Sequence, residues 1–385
     1  MNLEQYEVKI HSSIKQISKK EWEHLLVDIK NPFFSWKWLF NLESSSSISR
    51  ETGWYPLYFA VEFNNEIVAI APLFLKNHSY GEFIFDQPFA RLAAELNLEY
   101  YPKLIGMSPY SPVEGYQFLY RKNSNKLKLT GLLIKAIDNF ALNNNILSCN
   151  FLYVDIEWSK YLNKLGYHKW INIRSEWQSN EEKTFDEFLK RFNSNQRKNI
   201  KKERKSIDDL KINIEVLKDE AINDVILQKM HNFYAQHCSR WGIWGSKYLT
   251  SKFFDSLLKE KEKVLIFKAQ KESSLEILAM SMCISNENYL WGRYWGCKEE
   301  LKNLHFELCY YQPIEWAISN GIKCFDPGAG GNHKRRRGFY ARQTISLHKW
   351  FNNNMEIIMK DWLNKVNKET IYEIDLENNS IPFIK

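Results

Sequence analysis

Leu57, Phe59, Val61 and Phe63 alternate with Tyr58, Ala60 and Glu62, the period of a strand with one buried face. Asn64-Asn65 then supplies a two-residue turn, and Glu66–Leu75 returns as the second strand of a hairpin. The device recurs later as Val264–Ala269, the polar turn Gln270–Ser274 and Leu275–Ile284. The elements after each hairpin repeat as well. Lys126–Asn143 carries Leu129, Leu132, Leu133, Ala136, Ile137 and Phe140 at helical spacing, and the apolar strand Cys149–Ile156 comes next. In the other half Tyr289–Trp295 reads as a strand, Leu304–Asn320 as a helix and Ile322–Asp326 as a strand. This repeated order predicts an α/β (α+β) protein of two tandem lobes, each a mixed sheet flanked by helices. Residues 1–170 form the first lobe, 171–352 the second, and 353–385 an Asn-, Lys- and Glu-rich peripheral tail.

Between the lobes, Asp186–Leu210 is helical in pattern. Its stretch Arg197–Lys205 sets six bases against the single acid Glu203. Arg197, Lys201 and Lys205 share one face and Lys198 and Lys202 the next, with Arg204 beyond. Such a run is either a solvated helix or a surface for phosphate or RNA backbone. The net charge of +7 favours an anionic partner over a cationic one and decides nothing finer.

Composition narrows the class. Hydrophobic residues make up 44% and aromatic residues 15% of 385 positions, enough for two cores and too apolar for a disordered chain. The start has no basic region followed by an apolar one, so no secretory signal is expected. The longest apolar run, Ile67–Leu75, is too short for a membrane helix and contains Pro72. Six scattered cysteines without a C-x-x-C pair or Cys/His ligand spacing fit reduced thiols of a cytoplasmic protein and offer no metal site.

Candidate chemistry concentrates in 292–339. Arg293 is an odd charge in the aromatic strand Gly-Arg-Tyr-Trp-Gly. Asn303 is placed as N-cap of a helix that opens Leu304, His305, Phe306, Glu307 and continues through Tyr310, Tyr311 and Glu315, with Pro313 expected to kink it. A helix start offers backbone N–H groups to a phosphate or an oxyanion. The next strand ends in Asp326, followed by the glycine turn Gly328, Gly330 and Gly331 and then His333, Lys334, Arg335, Arg336 and Arg337. Glycines there let backbone approach a ligand. Neither a P-loop nor a dinucleotide fingerprint fits, because His333-Lys334-Arg335 occupies the positions that would decide both. As ordinary structure, His305 would bond backbone, Tyr310 and Tyr311 would pack, and Lys334–Arg337 would be a solvated loop. The convergence of strand end, helix start and glycine turn at one sheet edge favours a ligand. In the first lobe the equivalent place holds Ser108-Pro109-Tyr110-Ser111-Pro112, a rigid loop that is either a connector or a binding element.

SPYSPVEG (108–115), QRKNIKKERK (196–205), GRYWG (292–296), LHFELCYYQPIEWAI (304–318) and FDPGAGGNHKRRRGF (325–339), in that order, resemble the FemAB-like peptidoglycan biosynthesis/recognition family of the GNAT acyltransferase superfamily. The resemblance runs from Asn31 to Trp350. It implies two tandem GNAT-type folds and transfer of an acyl or aminoacyl group to an amine, with an acyl-CoA or aminoacyl-tRNA donor and, for the latter, a tRNA contact. Two departures bear on the donor. The acetyl-CoA loop of GNAT enzymes carries glycines, whereas Cys297–Leu304 has none; and 186–210 is too short for the helical-hairpin arm of Fem ligases.

Amine acylation needs a base for the amine proton and donors for the oxyanion. His305 or Glu307 is the candidate base, and Arg293 or the helix start the oxyanion partner. Ser108, Tyr110, Ser111, Tyr310, Tyr311, Asp326, Gly328, Gly330, His333, Lys334 and Arg337 would line the substrate, a small anionic precursor. The alternative is a non-catalytic protein that binds peptidoglycan precursors or another anionic ligand.

Overall fold

The computed structural model describes residues 6–26, 29, 31–240 and 247–384. In chain order its strands are β1 (Tyr6–His11), β2 (Trp54–Phe63), β3 (Glu66–Lys76), β4 (Lys103–Gly106), β5 (Leu119–Tyr120), β6 (Ser148–Phe151), β7 (His168–Gln178), β8 (Ile212–Leu217), β9 (Val264–Lys271), β10 (Ile277–Ser285), β11 (Tyr289–Cys297), β12 (Cys324–Asp326) and β13 (Tyr340–Trp350). The chain divides into two units, Met1–Asn172 with Gln343–Ile371, and Ile173–Arg342 with Tyr372–Lys385.

In the first unit the sheet runs β1-β2-β3-β4-β6-β13, with β5 on β3. Only the β4/β6 pair is parallel. Asn64 and Asn65 both take positive φ, 51° and 62°, the conformation a two-residue hairpin turn demands. The helix Lys126–Asn143 starts at Asn125, whose side chain accepts from Lys128 N–H, and it buries Leu129, Leu133, Ile137 and Ala141 against Phe59, Val61 and Leu104 of the sheet.

In the second unit the order is β8-β9-β10-β11-β12-β7, and only β11/β12 is parallel. The sense of every pairing thus repeats between the units, as the repeated hydrophobic pattern predicts. The closing strand of each sheet does not come from the expected stretch. Residues 343–350 of β13 close the first sheet, and residues 173–178 of β7 close the second. The observed boundaries therefore differ from breaks at 170/171 and 352/353. Nor is 353–385 a loose tail: Asn353–Asn379 is one helix, anchored in the first unit by buried Met355, Met359 and Leu363. In the second unit Asn378 brackets the backbone of Ala341, accepting from its N–H at 2.7 Å and donating to its carbonyl at 3.1 Å.

Three further expectations are corrected by local hydrogen bonding. The strand at 149 stops at Phe151, because Asp155 accepts from Trp158 N–H and opens a helix, Ile156–Leu162. The segment 186–210 is two helices, Phe185–Lys190 and Ser194–Asp208, with Asn193 capping the second through Gln196 N–H. Pro313 does more than kink its helix. Leu304–Phe306 passes into a π-turn over Glu307–Tyr311 before α-helix resumes at Gln312–Ser319. Proline brings no N–H to the ladder, so the turn before it widens, and Ser281 Oγ donates to the Leu308 carbonyl at 2.6 Å.

Helix Asp224–Ser239 lies directly on β11. A Cβ at Gly296 would sit 2.2 Å from the Phe233 carbonyl oxygen, so even Gly296→Ala should force helix and strand apart. We expect a loss of about 1–3 kcal/mol or more in thermal or urea unfolding; an unchanged transition would contradict this packing.

Candidate active site

Arg293 is the extra residue of a β-bulge. Met282 pairs with Tyr294 but Cys283 pairs with Gly292, so Arg293 has no opposite number on β10. This accounts for a charge inside an aromatic strand: a bulge re-aims one side chain. Its guanidinium donates to Asp326 Oδ2 at 2.9 Å and to the Gly292 carbonyl at 2.8 Å. Strand β12 pairs with β11 only at Tyr289–Trp291; past that point β11 continues with β10 alone. An opening at the carboxyl ends of neighbouring parallel strands is where α/β sheets receive ligands.

The glycine turn takes the left-handed backbone at Gly328 (φ 86°), Gly330 (75°) and Gly331 (89°), which side-chain-bearing residues adopt at a cost. The basic residues after it do not form a solvated loop. Lys334, Arg335 and Arg337 are buried, and only Arg336 of the four is exposed. Lys334 donates to the carbonyls of Gly328 and Ala329 at 2.7 and 3.2 Å; burial pushes its ammonium down to about 8. It braces the turn from inside. Arg335 binds Glu377, Ser175 Oγ and the Phe339 carbonyl. Arg337 reaches both oxygens of Glu203 at 2.9 Å and the His333 carbonyl, and lies 3.4 Å over the Phe306 ring. Tyr311 donates to the same Glu203. The lone acid of the basic run is thus the partner that holds the site's helix and turn together.

His305 of the helix start and His333 of the turn lie side by side. Their rings are 6.3 Å apart, and the Tyr310 hydroxyl lies 2.9 Å from His333 Nε2. His305 packs edge-on to Trp295 and Tyr310, at 5.2 and 5.3 Å. It also forms one wall of a cavity of about 220 Å³, shared with His237, Trp295, Cys297, Glu300 and Leu301. Burial lowers the His305 pKa to about 4, helped by its neighbours His333 and His237, when they are protonated, and by Lys334 and Arg337. The imidazole is therefore neutral at ordinary pH and able to accept a proton. His237, opposite, is also held below its usual value, chiefly by burial and then by Arg240; its Nδ1 is buried and has no hydrogen-bond partner among the described residues. Burial pushes the Cys297 thiol up, which makes it a poor nucleophile. Nothing in the spacing of His237 links it to His305; the packing of helix Asp224–Ser239 on β11 does.

Glu307 faces elsewhere. It accepts from Arg204 Nε at 3.1 Å and Gln312 Nε2 at 2.9 Å, and Arg204 continues to Glu315 at 2.7 Å. These bonds stitch the π-turn to helix Ser194–Asp208 and turn both Glu307 and Arg204 inward. Asn303 is no side-chain cap: it sits in the left-handed region at φ 68° without a capping bond, and its amide donates to Ser206 Oγ instead. Ser108, Tyr110 and Ser111 lie in the first unit, buried. They donate to the carbonyls of Phe33, Ser47 and Pro109, which makes the loop a packed connector.

On helix Ser194–Asp208, Lys198, Lys201 and Lys202 are exposed and Arg197 half-buried, with Lys201 3.5 Å from Asp186. If this face meets a polyanion, Lys198, Lys201 and Lys202→Gln should lower heparin or tRNA affinity and flatten its salt dependence without moving the melting temperature. Equal salt slopes for both proteins would leave the face merely solvated. Arg204→Gln, by contrast, should destabilise.

The pairing order of both sheets and the opened β11–β12 pair define a tandem α/β protein, two units with one strand order and one pairing sense. More narrowly, the chain belongs to the FemAB-like family, described as peptidoglycan biosynthesis/recognition, whose model matches residues 13–385. Among solved structures it is similar to FemX, with TM-score 0.54 and 13% identity over 92% of this chain and 100% of that one. It is also similar to L-PGS from Bacillus licheniformis, with TM-score 0.51 and 11% identity over 84% of this chain and 95% of that one. No curated protein matches it. Among the described residues no helix is long and apolar enough to cross a membrane.

Proposed function

We propose that the chain transfers an acyl or aminoacyl group to an amine of a peptidoglycan precursor, with His305 as general base. The observation that carries this reading is the place of His305, in the wall of a cavity on the half of β11 that has left β12. The amine lone pair attacks the donor's carbonyl carbon, forming the C–N bond and an oxyanion. His305 takes the proton from the new ammonium. Collapse of the tetrahedral intermediate then breaks the bond to the CoA sulfur or to the ribose oxygen of an aminoacyl-tRNA, which takes the proton back from the His305 imidazolium and leaves as a thiol or a hydroxyl. Arg293 is engaged with Asp326 and the Leu304 N–H with the Leu301 carbonyl at 3.2 Å, so the oxyanion partner falls to the His305 and Phe306 N–H groups, which the Asn303 side chain does not take.

The test offers acyl-CoA and aminoacyl-tRNA donors separately, with a precursor pentapeptide as acceptor, and reads the acceptor's mass. A product from either donor supports transfer and identifies the leaving group. Saturable acceptor binding with no product from any donor would make the chain a binding protein instead.

A further inference from the structure

A second cavity, of about 320 Å³, lies wholly within the first unit, far in sequence from the residues of the proposed transfer. Its floor is Tyr120, Thr130 and Trp158, all buried. Their polar atoms are already satisfied among themselves. Trp158 Nε1 donates to the Tyr120 hydroxyl at 3.0 Å, that hydroxyl lies 2.6 Å from Thr130 Oγ1, and Thr130 donates to the Lys126 carbonyl at 2.7 Å. A closed chain of this kind leaves ring faces and edges, rather than donors, towards a ligand.

The rim is different. Tyr161 and Leu127 line it and stand 48% and 63% exposed, as large apolar groups that the core does not use. The amide of Gln117 and the carboxylate of Asp155 line the same cavity. One Asp155 oxygen is occupied by the Trp158 N–H at 2.8 Å, which fixes the carboxylate in place. Charge is mixed rather than one-signed: the Lys126 ammonium, 5.8 Å from the Tyr120 ring centre, lines the cavity with Asp155, and Glu157 is bonded to Lys160 at 2.7 Å. A mixed rim gives no drive towards a phosphate or a cation. Apolar walls with one planar amide and one oriented carboxylate suit a ligand with C–H faces and several neutral hydroxyls.

We infer that this cavity is a binding subsite for one neutral pyranose sugar, its ring against Tyr161 and Leu127 and its hydroxyls on Asp155 and Gln117. The inference goes beyond the proposed transfer and does not depend on it, since the site shares no residue with the His305 cavity.

Saturation-transfer NMR on the full chain, without any acyl donor, tests it with glucose and N-acetylglucosamine as probes and methyl phosphate and lysine as controls. The expected result is weak binding of a sugar, with Kd on the order of 1 mM, and none of the controls. Tyr161→Ala alters an exposed side chain and should weaken binding about tenfold or more. Asp155→Asn keeps an N-cap acceptor and should weaken it while the melt holds. His305→Gln should leave sugar binding unchanged, so failure of the transfer reading would show separately. No sugar binding, or binding equal in wild type, Tyr161→Ala and Asp155→Asn, would overturn the inference, as would binding of methyl phosphate or lysine in place of sugar.

Discussion

His305→Gln should lower acyl transfer by about 10²–10⁴-fold, the range a positioned general base contributes, while the protein stays folded. Its pH dependence carries a second signature. The imidazole is deprotonated above about 4, so the transfer rate, corrected for the free-amine fraction of the acceptor, should be flat from neutral pH down to about 5 and fall further only as His305 protonates. The same depressed pKa affects stability, and with a definite sign. An unfolded chain protonates this histidine near 6.5, whereas the folded one resists until about 4. Stability from the neutral folded state is thus full above about 6.5 and lost as pH falls towards 4, by about 2–4 kcal/mol. His348, buried between Asn150 and Ser346 and lowered by burial to about 3, adds a loss of the same sign over the same window and below. Urea melts at pH 7 and pH 4.5 should show both, and His305→Gln should shrink the difference. An acid sensitivity identical in the variant would contradict a neutral, buried His305.

Arg337→Met should be the most destabilising of the single changes to the basic turn, costing about 3–5 kcal/mol. It leaves Glu203 without its two-oxygen partner at 2.9 Å, and it removes a cation from the Phe306 face. Because the penalty arises from a stranded carboxylate, Glu203→Gln combined with Arg337→Met should recover part of it. Arg336, the exposed member of the run, should tolerate the same change within about 0.5 kcal/mol. Equal costs at 336 and 337 would return the turn to the solvated loop its composition suggests.

What could be read from the sequence was local. Alternation at 57–63, the Asn64-Asn65 turn and the helical spacing of 126–143 each depend on neighbours a few positions away; the structure keeps the strand, the turn and the helix, but buries Tyr58 and Ala60 as fully as Phe59 and Val61, so the strand has no solvated face there. Pro313 marked a disturbance, though not that it would become a π-turn bonded to Ser281. The closing strands escaped because β7 and β13 pair with partners far along the chain, which no periodicity records. The cations of 334–337 misled for a related reason. A Lys-Arg-Arg-Arg run is solvated unless acids or carbonyls reach it, and Glu203 and Glu377 reach it from 134 and 42 positions away. At the candidate site, His305 and His333 were legible from their turn and helix start. His237 was not, because only tertiary packing brings it to the same cavity.

The most direct test of His305 as general base is single-turnover transfer by wild type and His305→Gln, with whichever donor gives product, alongside acceptor binding measured without donor. That role predicts product from the wild type, a loss of about 10² or more in the variant, and unchanged acceptor affinity. A His305→Gln protein that transfers at the wild-type rate would contradict it.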